Sequence, residues 1–325
     1  MKVGTRVGIG VAIGMAAAGL PLWLRLSGRS VVFDFDQIWL AARALIHGSD
    51  PYAAVARGFS MPFYYPLPAA IIGLPFAVVP IAWAGPLFVG VAFGLLAYGL
   101  AGRGPWALIG LLSWPALQAV QQCQWSPVFA AAALLPWLGW LTAAKPTNGL
   151  IAAGAYFSRR WFRVNLAIVL VLVCLSFALW PRWLAEWLTA VRGAHHFVPL
   201  MLRPGGALLL LSLVRWRRPE ARLLTLAALV PQTGAAYDAL LLVLVPSSRR
   251  EALAFGLLSF GTIPFLVPWQ GPGDAFVRML AHNQSVYLVM LYLPALCLVL
   301  SRNDNPAAAE TRTISDPVRS AVRDA

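Results

Sequence analysis

Residues 58–102 read GFSMPFYYPLPAAIIGLPFAVVPIAWAGPLFVGVAFGLLAYGLAG and contain no Asp, Glu, Lys or Arg. A helix that crosses the hydrocarbon core of a bilayer needs only about 20 predominantly apolar residues, so we expect this stretch to cross twice. Backbone polar groups in hydrocarbon must be satisfied internally, which leaves helices and closed barrels. The run shows no alternation of apolar and polar residues, which excludes a barrel. The stretch therefore predicts an α-helical membrane protein.

The rest of the chain has a similar composition. Residues 104–144 are also free of charged side chains, and hydrophobic residues make up 60% of the whole chain. Further apolar runs lie at 7–24, 164–180, 197–214, 223–245, 252–269 and 285–301, with Arg203 and Asp238 as interruptions. At about 20 residues per span, we predict an all-α, polytopic integral membrane domain over residues 1–301 with about nine to twelve transmembrane helices. Residues 302–325 are polar and are predicted to form a disordered cytoplasmic tail.

The net charge of +13 is carried by short basic clusters between the apolar runs. There is no basic domain, so we expect membrane lipids and no nucleic acid as partners. Cytoplasmic loops carry an excess of Lys and Arg, and the clusters therefore mark such loops. They are Arg159, Arg160 and Arg163; Arg215, Arg217, Arg218 and Arg222; and Arg249 and Arg250. Lys2 and Arg6 place the N-terminus on the same side, and the first apolar run is interpreted as a retained helix.

The longest polar connection, residues 29–62, is then external. Within it, apolar residues recur at helical spacing opposite a polar face, which predicts an amphipathic helix lying along the membrane surface. The apolar face is Phe35, Ile38, Trp39, Ala42 and Leu45, and the polar face is Asp36, Gln37, Arg43 and His47. Gly48 to Pro51 are predicted to end this helix. Two further external connections, 181–196 and 270–284, fall on the same side, so chemistry is expected at the outer face.

The chain has only 12 acidic residues, so the position of each is informative. Asp34 and Asp36 stand between the first apolar run and the predicted amphipathic helix. A partly desolvated carboxylate at this place suits a general base acting on a sugar hydroxyl. The alternative is that Asp34 is a helix N-cap, which stabilises a helix by about 1 kcal/mol. Asp238 is either the partner of an intramembrane Arg or a substrate contact.

Lys145 directly follows the charge-free run 104–144. An amine in hydrocarbon needs an anionic partner or water, and the head group of a polyprenyl phosphate is such a partner. The alternative is a lysine that reaches to the membrane interface. Four more residues of the outer face are either phosphate- or sugar-contacting groups or ordinary interfacial polar residues: Arg192, His195, His196 and Arg203. No metal site is expected, because the two histidines lack a third ligand at metal-binding spacing.

Aromatic residues are numerous, with 14 Trp and 8 Tyr in the chain. Their rings anchor helices at the membrane interface and also stack on sugars, and most are expected in the interfacial belt. Residues close to Asp34 in the sequence are assigned to sugar binding: Trp39, Arg43, Tyr52, Tyr64 and Tyr65.

Two motifs resemble a known family. The string Asp34-Phe35-x-x-x-Trp39-x-Ala41-Ala42-Arg43-Ala44-Leu45-x-x-Gly48-x-x-Pro51-Tyr52, followed by Phe63-x-Tyr65-Pro66-Leu67-Pro68, resembles the N-terminal signature of the glycosyltransferases of family 87. Lys145-Pro146 followed by Arg159-Arg160-Trp161 is similar to that family's Lys-Pro helix and the basic end after it. Where the family carries a Gly-Gln-x-Asn element, this chain reads Gln121-Gln122-Cys123-Gln124-Trp125.

The resemblance implies a GT-C-like hexosyltransferase of the α-mannosyltransferase kind in the cell membrane. Such an enzyme moves a sugar from a polyprenyl-phosphate donor to an extracytoplasmic lipid or glycan acceptor. It implies Asp34 as the catalytic base with Asp36 as second choice, Tyr65 and Pro66 at the sugar, and Lys145 at the lipid phosphate. No cofactor beyond the lipid-linked sugar is implied.

Two alternatives stay open at this point. The first is a transporter or flippase for a lipid or small solute, in which Asp238 is the intramembrane acid of the pathway. The second is a catalytically degenerate GT-C-like membrane protein that holds lipid without turnover.

Overall fold

The structure is a computed structural model of the chain, and it describes residues 1–28, 33–59, 61–194, 197–268 and 273–302. Helices form nearly all of the regular structure in these ranges. The only strands there are Val198–Pro199 and Pro231–Gln232, which pair antiparallel. The all-α prediction is therefore confirmed. The predicted disordered tail lies outside the described residues, apart from Arg302.

The α-helices are α1 Val3–Leu26, α2 Asp34–Ile46, α3 Pro51–Gly58, α4 Leu67–Ala77, α5 Ile81–Arg103, α6 Trp114–Gln121, α7 Ser126–Leu134, α8 Pro146–Tyr156, α9 Arg159–Leu179, α10 Trp183–Arg192, α11 Pro219–Leu229, α12 Arg249–Gly261, α13 Asp274–Tyr287 and α14 Leu293–Ser301. 3₁₀ segments cover Pro105–Leu111, Pro136–Ala144, Leu200–Leu202, Gly206–Arg215, Ala236–Leu244 and Ile263–Phe265. A π-helical turn, Leu288–Tyr292, joins α13 to α14.

Four helices of the described ranges are long and apolar enough to cross a membrane: α1, α5, α9 and the continuous helix Asp274–Ser301. Only 11% of the most apolar stretch of α9 is buried, so this helix presents apolar side chains outward on most of its surface. Hydrocarbon is the surrounding that suits such a surface. The count of about nine to twelve transmembrane helices, at about 20 residues each, stays a prediction.

Two crossings in each charge-free run would require two long helices in each. The helices of these two runs are arranged differently. Residues 58–102 contain the short α4 followed by the long α5, and residues 104–144 are divided into four short helical pieces. Each of these four pieces has a proline in its first two positions. Proline lacks a backbone N–H and fits only the first turn of a helix, so it ends one piece and begins the next. Hydropathy alone does not detect this division.

Helices α1 and α5 pack antiparallel, and at each end of the pair an arginine of α1 donates hydrogen bonds to α5. Arg25, near the end of α1, donates a hydrogen bond to the Ile81 carbonyl at the start of α5 (2.7 Å). Arg6, near the start of α1, donates to the Tyr98 carbonyl towards the end of α5 (3.1 Å and 3.2 Å). One arginine near each end of α1 thus donates a hydrogen bond to a backbone carbonyl of the partner helix.

Glycines bring the backbones of α1 and α5 together between these arginines. A Cβ added to Gly10 would lie 2.8 Å from the Gly94 carbonyl oxygen, and one added to Gly14 would lie 2.6 Å from the Gly90 carbonyl oxygen. Small residues four positions apart allow this close approach of membrane helices.

We expect Gly14→Val to destabilise the protein by about 2 kcal/mol or more, because the added atoms meet the backbone of α5 and not a flexible side chain. The measurement is the thermal midpoint of the detergent-solubilised protein. Gly19→Val is the matched control on the same helix, since nothing lies within 4 Å of a Cβ built at Gly19. An equal loss of stability in both variants would contradict the proposed helix contact.

Polar groups gather at the two ends of the α1–α5 pair. At one end Arg103 donates to the carbonyls of Leu244 (2.9 Å) and Pro246 (2.8 Å). At the other end Arg25 forms an ion pair with Asp36 of α2. The start of α2 therefore lies at the end of the pair opposite to Arg103.

Helix α2 forms where it was predicted, but its predicted polar face does not all face water. Asp36 and Gln37 are only 5% and 4% exposed. Its apolar side packs on α4, where a Cβ on Gly73 would lie 2.4 Å from Cγ2 of Ile38. The position of α2 at the membrane surface stays a prediction, but the expectation that Asp36 and Gln37 lie on its exposed polar face is wrong. The reason is that the connection folds back onto α1, α4 and α5, so both faces of the helix find partners.

Candidate active site

Asp34 is the first residue of α2, and a turn from a distant part of the chain holds it. Its backbone N–H donates to the Gln122 carbonyl (3.1 Å), and its carboxylate accepts a hydrogen bond from the side-chain amide of Gln124. Phe33 occupies the N-cap position, so the alternative in which Asp34 caps the helix is wrong. The Asp34 carboxylate therefore makes its hydrogen bond outside its own helix.

The turn that carries Gln124 has a strained backbone. Cys123 has a φ of 49°, in the left-handed region that non-glycine residues seldom adopt. This conformation ends α6, because the Gln124 N–H then donates to the Ala119 carbonyl (2.9 Å), as in a left-handed helix cap. Gln124 is fully buried, with its amide nitrogen at Asp34 and its Oε1 without a protein partner. The turn thus directs a buried amide at the Asp34 carboxylate.

Lys145 lies at the start of α8 and pairs with Asp238. Its Nζ is 3.6 Å from Oδ1 of Asp238 and 5.1 Å from the centroid of the Tyr237 ring. Asp238 is 3% exposed and also accepts hydrogen bonds from the Asn148 amide (2.7 Å) and from the N–H and hydroxyl of Thr233 (2.8 Å and 2.5 Å). The anionic partner that Lys145 requires is therefore a carboxylate of the protein itself.

These groups lie together in what we call the Asp34 cluster: Asp34, Tyr65, Gln124, Lys145, Tyr237 and Asp238. Burial raises the pKa of Asp34 to about 6, while the charge of Lys145 and the hydrogen bond from Gln124 oppose the rise. Burial also raises the pKa of Tyr65, and the charges of Asp34 and Asp238 add to this effect. The charges of Lys145 and Asp238 thus both act on the pKa of Asp34, the first lowering it and the second raising it.

Asp36, the second candidate base, is held by other groups. Its Oδ2 accepts a hydrogen bond from the Phe33 N–H (2.9 Å), which caps α2, and the same oxygen pairs with Arg25. The Arg25 guanidinium also lies 4.4 Å from the centroid of the Phe33 ring. These contacts join α2 to α1 and give Asp36 a structural role, which leaves Asp34 as the candidate base.

Two residues assigned to substrate binding fasten α2 to the end of α4 instead. The Trp39 indole donates to the Val79 carbonyl (2.9 Å), and Arg43 donates to the Ala77 carbonyl (3.4 Å). The Arg43 guanidinium also lies 5.3 Å from the centroid of the Trp39 ring. None of these contacts involves the Asp34 cluster, so we regard both residues as packing residues of α2.

Two of the candidate tyrosines lie beside the cluster. The Tyr52 hydroxyl donates to the Tyr65 carbonyl (3.2 Å). The Tyr64 ring packs edge-on against Phe197 with 5.6 Å between centroids, and the Tyr64 carbonyl accepts a hydrogen bond from the Trp187 indole (2.9 Å). The segment 61–66 is thereby fixed between α3 and α10.

The predicted basic residues of the outer face have mixed positions. Arg192 is exposed at the end of α10. The Arg203 side chain donates from Nε to the Gln284 side-chain oxygen (2.6 Å), and Gln284 shares a small cavity with Asp238. His195 and His196 lie outside the described residues.

Sequence reasoning missed part of the cluster. It assigned no role to Gln124, Asn148, Thr233 or Tyr237, and it left the role of Asp238 open. One signal was present, since Gln118, Gln121, Gln122 and Gln124 are four amides in a run without charged residues. Amides in such a run require buried partners, and Gln124 finds its partner in Asp34.

The described part of the chain contains no group of three or more His, Cys, Asp or Glu side chains arranged to hold a metal ion. No family model, no curated protein and no solved structure matches the chain. The resemblance to the family-87 glycosyltransferases therefore stays a prediction from the motifs.

Proposed function

We propose that this chain is a GT-C-like membrane transferase that moves a sugar, mannose in the first instance, from a polyprenyl phosphate to an extracytoplasmic lipid or glycan acceptor. One observation carries the proposal. Asp34 and Lys145, which are far apart in the sequence, lie near enough to each other that the charge of Lys145 lowers the pKa of Asp34. A carboxylate with a raised pKa beside an amine is the pairing that a base and a phosphate-binding group require.

The proposed reaction is a single inverting displacement. The acceptor hydroxyl oxygen attacks the anomeric carbon of the donor as its proton passes to the Asp34 carboxylate. The bond between the anomeric carbon and the phosphate oxygen breaks, and the electron pair leaves with the polyprenyl phosphate. Lys145 stabilises the charge on the leaving phosphate. The tyrosine hydroxyl of Tyr65, near Asp34, positions the sugar.

The pairing of Lys145 with Asp238 sets a condition on donor binding. Asp238 neutralises part of the charge of Lys145, so a second cation is needed beside the donor phosphate. Arg203 is the group that we assign to this position, because it contacts Gln284 at the cavity next to Asp238. In this proposal Asp238 orients the Lys145 amine, and the donor phosphate approaches the amine from the side that Asp238 does not occupy.

We place the cluster at the outer face of the cell membrane in a multi-pass arrangement. The support for this orientation is the arginine network at the opposite end of the molecule. There Arg302 pairs with Glu251 (2.6 Å) and donates to the Val245 carbonyl (2.9 Å), near the basic residues Arg249 and Arg250. An excess of arginine favours the cytoplasmic side.

Transfer is expected to follow the ionisation of Asp34. A base acts only as the carboxylate, so kcat/KM should rise as the pH increases through about 6 and stay level above that value. Below it the rate should fall about tenfold per pH unit. The measurement is the transfer of radiolabelled mannose from polyprenyl phosphate in proteoliposomes over the acidic to neutral range.

The Gln124→Leu variant sharpens this test. The hydrogen bond from Gln124 favours the ionised form of Asp34, so its loss should raise the pKa of Asp34. The acidic limb of the plot of kcat/KM against pH should then move to higher pH. A limb that stays in place, or activity that decreases as the pH rises through 6, would contradict the assignment of Asp34.

A transporter or flippase is the second candidate function, and the buried Lys145–Asp238 pair favours it. Such pairs occur in proton and ion pathways through broken membrane helices. The two functions differ in product. Movement of intact lipid-linked sugar across the membrane without cleavage of the sugar–phosphate bond would support transport and exclude the transferase.

A further inference from the structure

A cleft lies between α3 and α10, and Pro62 and Phe63 of the segment 61–66 form part of its wall. Its volume is about 370 Å³, and its walls include Tyr52, Pro62 and Phe63 on one side and Ala185, Glu186 and Thr189 of α10 on the other. This volume is within the range of small-ligand pockets, which is about 300–1,000 Å³. The cleft has no role in the chemistry described above.

The side chains of the cleft are held in place. Glu186 accepts a hydrogen bond from the Trp180 indole at one carboxylate oxygen (2.8 Å), and this bond uses one of its two oxygens. The Tyr52 and Phe63 rings pack together with 5.3 Å between centroids. The Trp187 indole fastens α10 to the Tyr64 carbonyl (2.9 Å). A ligand would therefore meet a prearranged site.

The chemistry of these walls suits a sugar ring. Aromatic rings pack on the apolar C–H faces of a sugar, while a carboxylate and a hydroxyl, here Glu186 and Thr189, hydrogen-bond its hydroxyls. A phosphate is disfavoured by the carboxylate of Glu186. A prenyl chain is disfavoured as well, because it would leave that carboxylate in contact with hydrocarbon. Burial, together with the nearby Glu186 charge, raises the pKa of Tyr52, so its hydroxyl stays neutral.

Two side-chain contacts connect residues of the cleft to Tyr65 of the Asp34 cluster. The Phe63 ring lies 5.7 Å from the Tyr65 ring between centroids, and the Tyr52 hydroxyl donates to the Tyr65 carbonyl (3.2 Å). Tyr65 in turn interacts electrostatically with Asp34. A sugar bound in the cleft would thus contact Tyr52 and Phe63, the two residues that pack against Tyr65 beside the proposed base.

We propose that this cleft is the acceptor subsite, which binds a neutral hexose unit of a glycan or glycolipid with Glu186 as its hydroxyl-binding group. The inference rests on the proposed transferase function for the identity of the acceptor, whereas the sugar-binding property of the cleft stands independently. Glu186 and Tyr52 are then specificity-determining residues and do not take part in the displacement.

Two variants test the proposal. Glu186→Gln keeps an oxygen for the Trp180 indole but removes the charge, and Ala185→Trp fills the cleft. Binding of radiolabelled α-mannobiose to the full chain in nanodiscs is measured by equilibrium dialysis, and the KM values for donor and acceptor are measured in proteoliposomes.

We expect Glu186→Gln to weaken mannobiose binding and to raise the acceptor KM by about tenfold, with kcat and donor KM unchanged. Ala185→Trp should abolish binding, and Asp274→Asn, at an exposed position, should leave binding unchanged.

The outcomes separate this proposal from the transferase function. Mannobiose binding that depends on Glu186, in a protein without transfer activity, supports sugar binding in the cleft and contradicts the proposed transferase function. Transfer that depends on Asp34 but not on Glu186 or Ala185 contradicts the proposal that the cleft is the acceptor subsite, and it leaves the proposed transferase function standing. A higher donor KM in Ala185→Trp, with an unchanged acceptor KM, would mean that the cleft holds the prenyl chain, and the proposal would be wrong.

Discussion

The Asp34→Asn variant is expected to lose sugar transfer by about 10³-fold in kcat while the protein stays folded. General bases contribute about 10² to 10⁴-fold to catalysis, and an amide cannot accept the acceptor proton. The hydrogen bond with Gln124 survives the substitution, because the Asn oxygen accepts from the same amide. The measurement is single-turnover transfer from radiolabelled polyprenyl-phosphate mannose in proteoliposomes.

Loss of fold is not expected to explain this result. Burial raises the pKa of Asp34 from its ordinary value near 3.8 to about 6, so the folded state binds the proton more tightly than the unfolded state does. The ionised carboxylate therefore weakens stability at neutral pH, and its neutral isostere should raise the thermal midpoint or leave it unchanged. Asp274→Asn is the matched control, since Asp274 is likewise the first residue of its helix. Full turnover by Asp34→Asn would refute the base assignment.

The second large effect is expected at Lys145. Lys145→Met leaves the buried Asp238 carboxylate without its cation, and removal of one partner from a buried ion pair costs about 3–5 kcal/mol. We expect a marked decrease in the thermal midpoint together with loss of transfer. The single variant by itself does not separate a structural role from a catalytic one.

The double variant Lys145→Met with Asp238→Asn makes that separation. The oxygen of the new amide still accepts from the N–H and hydroxyl of Thr233, and its NH2 donates to Asn148 Oδ1 once the Asn148 side-chain amide turns over, so most of the stability should return. Transfer should stay absent, because the leaving phosphate still lacks the amine. A double variant that regains both stability and transfer would show that Lys145 serves only as the counter-ion of Asp238.

Several features of the molecule follow from local sequence. The break between α2 and α3 was predicted at Gly48 to Pro51, and the structure has Gly48 at a positive φ of 62° and Asp50 as the N-cap of α3. Turn and cap residues act over a few positions, so their pattern is readable without the rest of the fold.

Other features depend on contacts between distant residues. Asp36 and Gln37 were assigned to a solvated face by their helical spacing, yet the packing of α2 against α1 and α4 buries both. The prolines that divide residues 104–144 are visible in the sequence, but their neighbours must supply the burial that such short helices require. Likewise, no local pattern pairs Gln124 with Asp34 or Asp238 with Lys145.

The sequence by itself determined that this chain is helical and carries runs apolar enough to cross a membrane, because the free energy of placing uncharged apolar runs in hydrocarbon depends on composition alone. It also singled out Asp34 and Lys145, as charged groups beside such runs are costly wherever they lie. Only the tertiary structure decided which partners these groups have. Desolvation and Coulomb interactions depend on distances between elements, and those distances exist only after the helices have packed.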